Sequence, residues 1–391
     1  MSDRFQQLAA LVLGALILLF TAWVYWPGQA GPALLDDATS VLVIGDLKKH
    51  PELAWDHIWG DKSGPLGRPV SMASFVLEKL LLDGELTTSK QVNILLHLCN
   101  GALVIWLFWL LFRFLAIPGY RMLALVLGAA WLLSPLYVST VLYVVQRMAM
   151  LSTTFMLCSC ICYCYWREKL RLETFSVGLL ALLAMLVLLA VFAKENAVVV
   201  IPILLLLEAL WFQFVGGNGQ AIRWLKRTTL VLIAFGGVTV LFVLVLDWDG
   251  LAAAFQRRYF TLDERLLTQS RILWDYVSQL YSPDVLRMGL YHDDVVVSTS
   301  LNQPSTTRFA IMAWLGVLVL FMVALFWRWG RYLALGVAWF AVGHSIEAGV
   351  FSLDLYFEHR NYFPGVGLFL LLGALYAWFV RRWPLTAPPL L

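Results

Sequence analysis

Long apolar runs, each ending at a polar or charged cluster, divide the sequence into spans and connections. Ten runs are long enough, at about 1.5 Å per residue, to cross a hydrocarbon core of about 30 Å. This pattern predicts an all-α polytopic membrane protein, with spans near 8–26, 91–112, 120–138, 148–166, 174–193, 197–214, 229–246, 309–327, 332–353 and 361–380. The first run is too long for a signal peptide and is followed by Tyr25-Trp26-Pro27, so we expect it to be retained.

The short connections differ in charge between the two sides of these spans. On one side they carry thirteen Lys and Arg residues, and on the other only Arg147, Lys194 and Arg360. Because positively charged connections stay in the cytoplasm, we expect both termini there. The two long loops, 27–90 and 247–308, then lie outside.

The composition agrees with a membrane protein and excludes two other classes. Of the 391 residues, 61% are hydrophobic and 14% charged, and the mean hydropathy is +0.78. This balance argues against a soluble enzyme. The net charge of +3, without a basic tail, makes nucleic acid an unexpected partner. Cys158, Cys160, Cys162 and Cys164 alternate between helix faces, so we interpret them as small packing residues rather than metal ligands.

Adjacent carboxylates stand in the first outer loop, about ten residues beyond the first span. Asp36-Asp37 opens an amphipathic stretch, Ala38–Leu47. One interpretation is an acidic helix N-terminus that complements the helix dipole. The other is a general base at the membrane surface, since two neighbouring carboxylates disfavour joint ionisation and raise one pKa.

Further ionisable residues are predicted at the same membrane face. Arg68 follows a turn-forming segment in the first loop, and Lys194-Glu195-Asn196 forms a tight connection between two spans. Snorkelling to the interface explains Lys194 but leaves Glu195 unexplained. His344, Glu347 and Asp354 have spacings that allow a shared helix face, which ends at Glu358-His359-Arg360. An ionisable pair inside a span needs water or a partner, so an outward-opening cavity is expected.

Basic side chains at this depth suit a phosphate or diphosphate, which Arg binds bidentately and Lys as a point charge. The candidate anion ligands are Arg147, Lys194, Arg258, His359 and Arg360. A substrate with an anionic head and a long apolar tail fits this location better than a soluble nucleotide.

The second outer loop contains a helical pattern. Apolar residues between Phe260 and Val277 recur at helical spacing, which predicts an amphipathic helix on the membrane or over a cavity. Tyr291-His292-Asp293-Asp294 follows it. Metal binding and a plain exposed loop end are both open there, and the second is the commoner case.

Seven short motifs follow one another along nearly the whole chain. They are Leu35-Asp36-Asp37, Gly67-Arg68-Pro69 with Ser71–Phe75, Asn93-Ile94-Leu95-Leu96-His97, Ser134-Pro135-Leu136-Tyr137 with Val145-Gln146-Arg147, Ala193-Lys194-Glu195, Glu264-Arg265-Leu266-Leu267-Thr268 and Glu358-His359-Arg360-Asn361-Tyr362. In these motifs the sequence resembles the GT-C fold membrane glycosyltransferases, most closely the bacterial relatives of the transmembrane, TPR-containing protein O-mannosyltransferases.

The resemblance implies that residues 1–391 form one GT-C-like membrane domain. Such an enzyme transfers a sugar from a polyprenyl-phosphate donor to a hydroxyl group and inverts the anomeric carbon. It would work in the bacterial inner membrane, with its site facing the periplasm. The implied roles are catalysis by Asp36, Asp37 and Glu195, phosphate binding by Arg147, Lys194, Arg258, His359 and Arg360, and substrate binding by Arg68, His344, Glu347 and Glu358. No cofactor besides the lipid-linked sugar is certain, and a divalent metal stays open.

The acceptor and two alternative functions also stay open. The sequence ends at Leu391 without TPR-like repeats, so we expect the outer loops to recognise the acceptor. This could be an exported protein such as a pilin, a glycan or a lipid, and the sugar could be mannose or a pentose such as arabinose. An O-antigen ligase or polymerase explains the outer Arg and His residues but not the Asp pair. A lipid-linked sugar flippase needs a polar path to the inner face, which the apolar spans hardly offer.

The expected topology is tested by labelling a cysteine introduced near Gly217, in a variant whose five natural cysteines are replaced. We expect a membrane-impermeant thiol reagent to leave it unmodified in intact cells and to modify it after permeabilisation. Labelling in intact cells would contradict the predicted topology.

Overall fold

The computed structural model describes residues 3–45, 47–62, 64–82 and 84–383. These residues form helices, turns and loops, with two isolated β-bridges and no strand among them. The chain divides into two compact units. Unit 1 comprises Met1–Lys169, Phe175–Val200 and Phe379–Leu391, and unit 2 comprises Leu170–Thr174 and Ile201–Trp378. That the whole chain acts as one catalytic domain stays a prediction.

Unit 1 contains the first nine α-helices of the described chain. They are α1 (Asp3–Tyr25), α2 (Asp37–Ser40), α3 (Ala54–Trp59), α4 (Pro69–Leu81), α5 (Leu86–Phe114), α6 (Tyr120–Leu132), α7 (Val138–Leu142), α8 (Arg147–Arg171) and α9 (Val177–Ala193). Single 3₁₀ turns connect several of them, at Trp26–Ala30, Leu42–Ile44, Pro51–Leu53, Pro135–Tyr137, Val144–Gln146 and Glu195–Val199.

Unit 2 contains the remaining seven α-helices of the described chain, although Val200 of the first and Phe379–Arg382 of the last belong to unit 1. They are α10 (Val200–Leu206), which continues into a π-helical turn at Leu207–Phe212, then α11 (Arg223–Leu246), α12 (Trp248–Ala253), α13 (Leu262–Tyr281), α14 (Thr306–Ala324), α15 (Arg328–His344) and α16 (Gly365–Arg382). Short 3₁₀ turns lie at Val285–Arg287 and Glu358–Asn361. The predicted amphipathic helix of the second loop is α13, which a complete capping box at Thr261 and Glu264 begins.

The described helices confirm a polytopic helical membrane protein. Seven are long and apolar enough to cross a bilayer, and an eighth span results if the pair Tyr120–Leu132 and Pro135–Leu142, bent by 49°, counts as one. Most of α11 is exposed although it is strongly apolar. A lipid environment explains this exposure, because so large an apolar surface is unfavourable in water.

Two of the ten expected spans differ in the structure. The run at 174–193 forms the 17-residue helix α9, which is shorter than the spanning helices. The expectation that a helix continues to residue 353 is wrong, because α15 ends at His344 and no α-helix follows before α16. Glu347 and Asp354 therefore do not share a helix face with His344.

Glycines allow close packing between α15 and α16 in unit 2. A Cβ atom added at Gly336 would lie 2.6 Å from Cβ of Leu371 and 2.7 Å from the carbonyl oxygen of Gly367. The indole Nε1 of Trp339, on the same side of α15, donates to the carbonyl of Phe363 at 3.2 Å. Small residues at such a contact let helix backbones approach closely in a membrane.

This packing predicts that Gly336→Ala destabilises the protein. The added methyl group meets backbone and Cβ atoms that cannot rotate away, so a loss of about 1–3 kcal/mol is expected. The control is Gly236→Ala in α11, where nothing lies within 4 Å of the added Cβ. That variant should keep or slightly raise the melting temperature, since Ala favours helix over Gly. Equal melting temperatures for the two variants in detergent would contradict the close contact.

Candidate functional site

Asp37 is a buried carboxylate that ties the first loop to a break between two helices. Its Oδ1 accepts the backbone N–H of Val145 at 2.7 Å, and its Oδ2 accepts those of Leu34 at 3.0 Å and Val144 at 3.4 Å. Burial raises the pKa of the Asp37 carboxyl, and these three amides oppose that shift. Both carboxylate oxygens are thus engaged by the backbone, so Asp37 holds the loop in place.

Asp36, by contrast, is exposed. Its backbone N–H donates to the hydroxyl of Tyr143 at 2.9 Å, which fixes the main chain beneath the side chain. Leu35 immediately before it has a φ of 35°, in the left-handed region that is unfavourable for Leu. Asp36 occupies the N-cap position of α2, but its side chain makes no capping hydrogen bond. Of the two carboxylates that the sequence offers as a base, Asp36 is therefore the accessible one.

The interruption between α7 and α8, Tyr143–Gln146, is held from a second direction by Asn93 of α5. Its side-chain amide donates to the carbonyls of Val141 and Val144, each at 3.2 Å. Val144 and Val145 are buried, and buried backbone amides and carbonyls must be hydrogen-bonded within the protein. Asp37 takes the free amides and Asn93 the free carbonyls.

Arg147, the first residue of α8, is buried and has a carboxylate partner. Its Nη2 forms an ion pair with Glu78 of α4 and donates to the carbonyl of Ser89 at 2.9 Å. Its Nε donates to Oδ1 of Asn93 at 2.8 Å, while the guanidinium lies 4.4 Å from the ring centre of Phe75. Glu78 was missed by the sequence analysis, since its partner lies 69 residues away. The role of Arg147 in phosphate binding stays a prediction, because its charge is already compensated.

Arg68 and Glu195, predicted separately, form one ion pair. Nε of Arg68 lies 3.0 Å from Oε2 of Glu195, with 19% and 18% of the two side chains exposed. Nη1 of Arg68 also lies 3.4 Å from Sδ of Met148. This pair explains the acidic residue that snorkelling of Lys194 did not, and Lys194 itself is half-buried in an extended conformation.

The backbone around this pair is adapted to it. Gly67 and Arg68 have φ angles of 71° and 45°, and Pro69 then begins α4. A Cβ atom at Gly64 would lie 1.8 Å from Oε1 of Glu195, so a side chain there would require this carboxylate to move. That Oε1 is buried and accepts no hydrogen bond from the described residues. It is an acceptor in need of a donor.

In unit 2, Arg265 of α13 organises the irregular segment after α15. Its guanidinium donates to the carbonyls of Glu347 at 2.6 Å, Gly349 at 2.9 Å and Asp354 at 3.2 Å, and also to that of Leu353. Burial, with the nearby charges of Arg360 and Arg258, lowers the pKa of Arg265 to about 10. These bonds explain why no helix continues past His344: the carbonyls of the segment have a guanidinium partner instead of helix amides.

Two predicted phosphate ligands, Arg258 and Arg360, meet on the same segment. Arg360 donates to the carbonyls of Asp354 at 2.7 Å and Leu355 at 3.0 Å and is nearly buried. Arg258 pairs with the carboxylate of Asp354, with 31% of its side chain exposed. With Arg265, three guanidinium groups surround residues 347–355, which we call the arginine-bound segment. The segment also carries the carboxylates of Glu347 and Asp354, so these three arginines exceed its own acidic residues by one, and Arg258 is the most exposed of the three.

The remaining predicted residues of unit 2 lie close to this segment. Glu358 is buried and accepts the N–H of Gly289 at 2.7 Å, with Nε2 of His292 3.4 Å away. His344 is buried, and its Nε2 lies 3.2 Å from Oδ1 of Asn361. His359 stacks on Phe357 with ring centres 5.0 Å apart. Among the described residues, no group of three His, Cys, Asp or Glu side chains could hold a metal ion.

Each unit thus brings together its own part of the predicted site. Unit 1 holds the Asp pair, Arg68 with Glu195, Arg147 and Lys194, and unit 2 holds Arg258, His344, Glu347, Glu358, His359 and Arg360. The predicted phosphate group of five basic residues draws on both units and stays a prediction.

The Glu78–Arg147 pair predicts an asymmetric effect of mutation. Arg147→Met leaves Glu78 buried and uncompensated, so a loss of about 3–5 kcal/mol is expected. Adding Glu78→Leu should recover most of the melting temperature, because no buried charge remains. The matched control is Arg113→Met, whose pair with Glu168 at 3.5 Å is half-exposed and should matter by less than about 1 kcal/mol. A fully stable Arg147→Met protein would contradict a structural role for the pair.

Known proteins offer no direct guide to this chain. No protein-family model matches the sequence. No curated protein and no solved structure matches it either.

Proposed function

We propose that this protein is a membrane glycosyltransferase with a GT-C-like fold. It would move a sugar from a polyprenyl-phosphate donor to a hydroxyl group outside the cytoplasm. The observation that supports this best is that the two adjacent aspartates differ in their surroundings. Asp37 is immobilised by three backbone amides, and the adjacent Asp36 is exposed on a fixed main chain.

Asp36 is suited to the role of general base. In a single inverting displacement, the acceptor oxygen forms a bond to the anomeric carbon while the bond from that carbon to the phosphate oxygen breaks. The hydroxyl proton passes to the carboxylate of Asp36, and the polyprenyl phosphate leaves with the bonding electrons. A base must be accessible and well positioned for this transfer. The backbone bond from Asp36 to Tyr143 supplies the positioning.

Negative charge develops on the phosphate as it leaves, and positively charged side chains can stabilise it. The stabilisation of developing charge is usually a large part of catalysis. Arg258 and Arg360 are the best-supported candidates, because they lie with Arg265 where unit 2 concentrates its cations. Lys194, His359 and Arg147 belong to the same proposal. Arg68, with Glu195, is proposed to contact substrate. Glu195 has 18% of its side chain exposed and one carboxylate oxygen that accepts no hydrogen bond from the described residues, so it is the second candidate base.

The proposed setting is the bacterial inner membrane, with the site facing the periplasm. The exposed apolar helices support a bilayer environment. The acceptor is an exported protein hydroxyl, such as one on a pilin, or a glycan. Mass spectrometry of exported proteins and surface glycans, with and without this protein, identifies sugar and acceptor together. Loss of one defined glycan is the expected result, and an unchanged profile would contradict the proposal.

The two aspartates should respond differently to the same substitution. Asp36→Asn keeps the size of the side chain and removes the basic oxygen, so transfer should fall by about 10²–10⁴-fold while the melting temperature stays unchanged. Asp37→Asn loses an acceptor for buried amides, so the protein should lose about 1–3 kcal/mol of stability.

The measurements are sugar transfer, melting temperature and binding of the lipid-linked sugar by the purified variants. Normal transfer by Asp36→Asn would exclude this residue as the base and direct attention to Glu195. Loss of transfer by Asp36→Asn together with a collapsed melting temperature would show a structural role instead.

A further inference from the structure

A cavity of about 860 Å³ lies wholly within unit 2, next to the arginine-bound segment, since Tyr356 directly after that segment lines it. It is formed by one side of α13, the connection after α13, and the first turns of α14. Its size falls in the range of about 300–1,000 Å³ that is usual for small-molecule sites. None of the residues predicted from the sequence to bind donor or acceptor lines it.

One wall of the cavity is aromatic. Trp274 is held by a hydrogen bond from its Nε1 to the carbonyl of Ala310, at 3.1 Å, and by Trp314, whose ring centre lies 4.6 Å away. Tyr291 and Phe309 are 67% and 56% exposed, so their rings are available for contact. Such rings have electron-rich faces, onto which the C–H groups of a sugar ring pack well.

The polar wall carries balanced charge. The carboxylate of Asp275 accepts the hydroxyl of Tyr356 at 2.7 Å and pairs with Arg287. Arg271 donates to the carbonyl of Val296 at 2.7 Å, and Asp294 lies at the loop end. Among the described lining residues, two guanidinium and two carboxylate groups balance one another, and the imidazole of His292 lies 3.4 Å from the carboxylate of Glu358. An anion would require an excess of cations, whereas a polyol needs donors and acceptors side by side.

The position of the cavity also restricts its ligand. α14 is one of the apolar helices of spanning length and begins at Thr306, and its residues Phe309, Ala310 and Ala313 line the cavity. The cavity therefore lies where a span meets the aqueous phase. A polar ligand can reach this level from the loop side.

We propose that this cavity binds the ring of an uncharged saccharide. The aromatic wall would hold the C–H face of the ring, and Asp275, Arg271 and Arg287 would hold its hydroxyl groups. The assignment of this saccharide rests on the proposed glycosyl transfer. In that reaction the bound saccharide is the acceptor glycan rather than the phosphate-linked donor.

Saturation-transfer NMR on the full-length protein in nanodiscs tests the binding directly. The probe is a mixture of methyl glycosides of glucose, galactose, mannose, N-acetylglucosamine and arabinose. We expect saturation transfer to the ring C–H protons of at least one of them. Absence of transfer to every glycoside would overturn the proposal, as would displacement of a bound glycoside by millimolar inorganic phosphate.

Matched variants locate the binding in the cavity. Tyr291→Ala should weaken binding of the glycoside by about 2–10-fold, whereas Tyr259→Ala, which removes a 77% exposed tyrosine outside the cavity, should not. Asp275→Asn should weaken it further, and Asp263→Asn, at an exposed position on the same helix, should not. Equal binding by Tyr291→Ala and Tyr259→Ala would overturn the assignment. Because Tyr291 is exposed, its replacement should leave the fold intact, so weaker binding by Tyr291→Ala would not result from misfolding.

The same variants separate this proposal from the proposed transfer reaction. Asp36→Asn should abolish transfer and leave glycoside binding intact. Tyr291→Ala should raise the KM for a glycan acceptor and leave binding of the lipid-linked donor unchanged. Glycoside binding without any transferase activity would support the cavity and refute the enzyme, whereas transfer with an acceptor KM unaffected by Tyr291→Ala would refute the acceptor assignment.

Discussion

A buried turn between two helices persists only if the backbone groups that it releases find hydrogen-bond partners inside the protein, because water is excluded there. The interruption between α7 and α8 meets this requirement with Asp37 for the amides and Asn93 for the carbonyls. The loop that follows α1 is thereby attached to the turn between α7 and α8. This attachment also fixes the position of Asp36, since Asp36 directly precedes Asp37 in the chain.

Unit 2 satisfies the same constraint with the opposite charge. Arg265 donates to four carbonyls of the segment that follows α15, where helix amides are absent. A buried charge is costly unless it is fully hydrogen-bonded. Arg265 and Asp37 meet this condition by hydrogen bonds to the backbone of irregular segments, and the buried Arg147 has the carboxylate of Glu78 as its partner.

The candidates for function are the neighbours of these structural residues. Asp36 stands beside Asp37, and Arg258 reaches the segment that Arg265 holds. One carboxylate oxygen of Glu195 is paired with Arg68, and the other accepts no hydrogen bond from the part of the chain that the structure describes. A functional group on an otherwise immobile backbone loses little entropy when substrate binds, which is the usual advantage of a supporting layer of hydrogen bonds.

From the sequence alone one can predict the membrane class, the approximate place of most spans and the amphipathic helix α13. The sequence also shows unusual polar positions, which include Asp36, Asp37, Arg68, Glu195 and Arg360. The spans and α13 can be predicted because apolar length and helical period are local properties. The three-dimensional structure is needed to see that Asp37 is hydrogen-bonded to backbone amides while Asp36 is exposed. It also shows that Arg147 pairs with Glu78, that Arg68 pairs with Glu195 and that α15 ends at His344. Each of these outcomes depends on partners 69 to 127 residues away, or on the guanidinium of Arg265, 82 residues from the carbonyl of Glu347. Hydrogen bonds over such separations leave no periodic trace in the sequence.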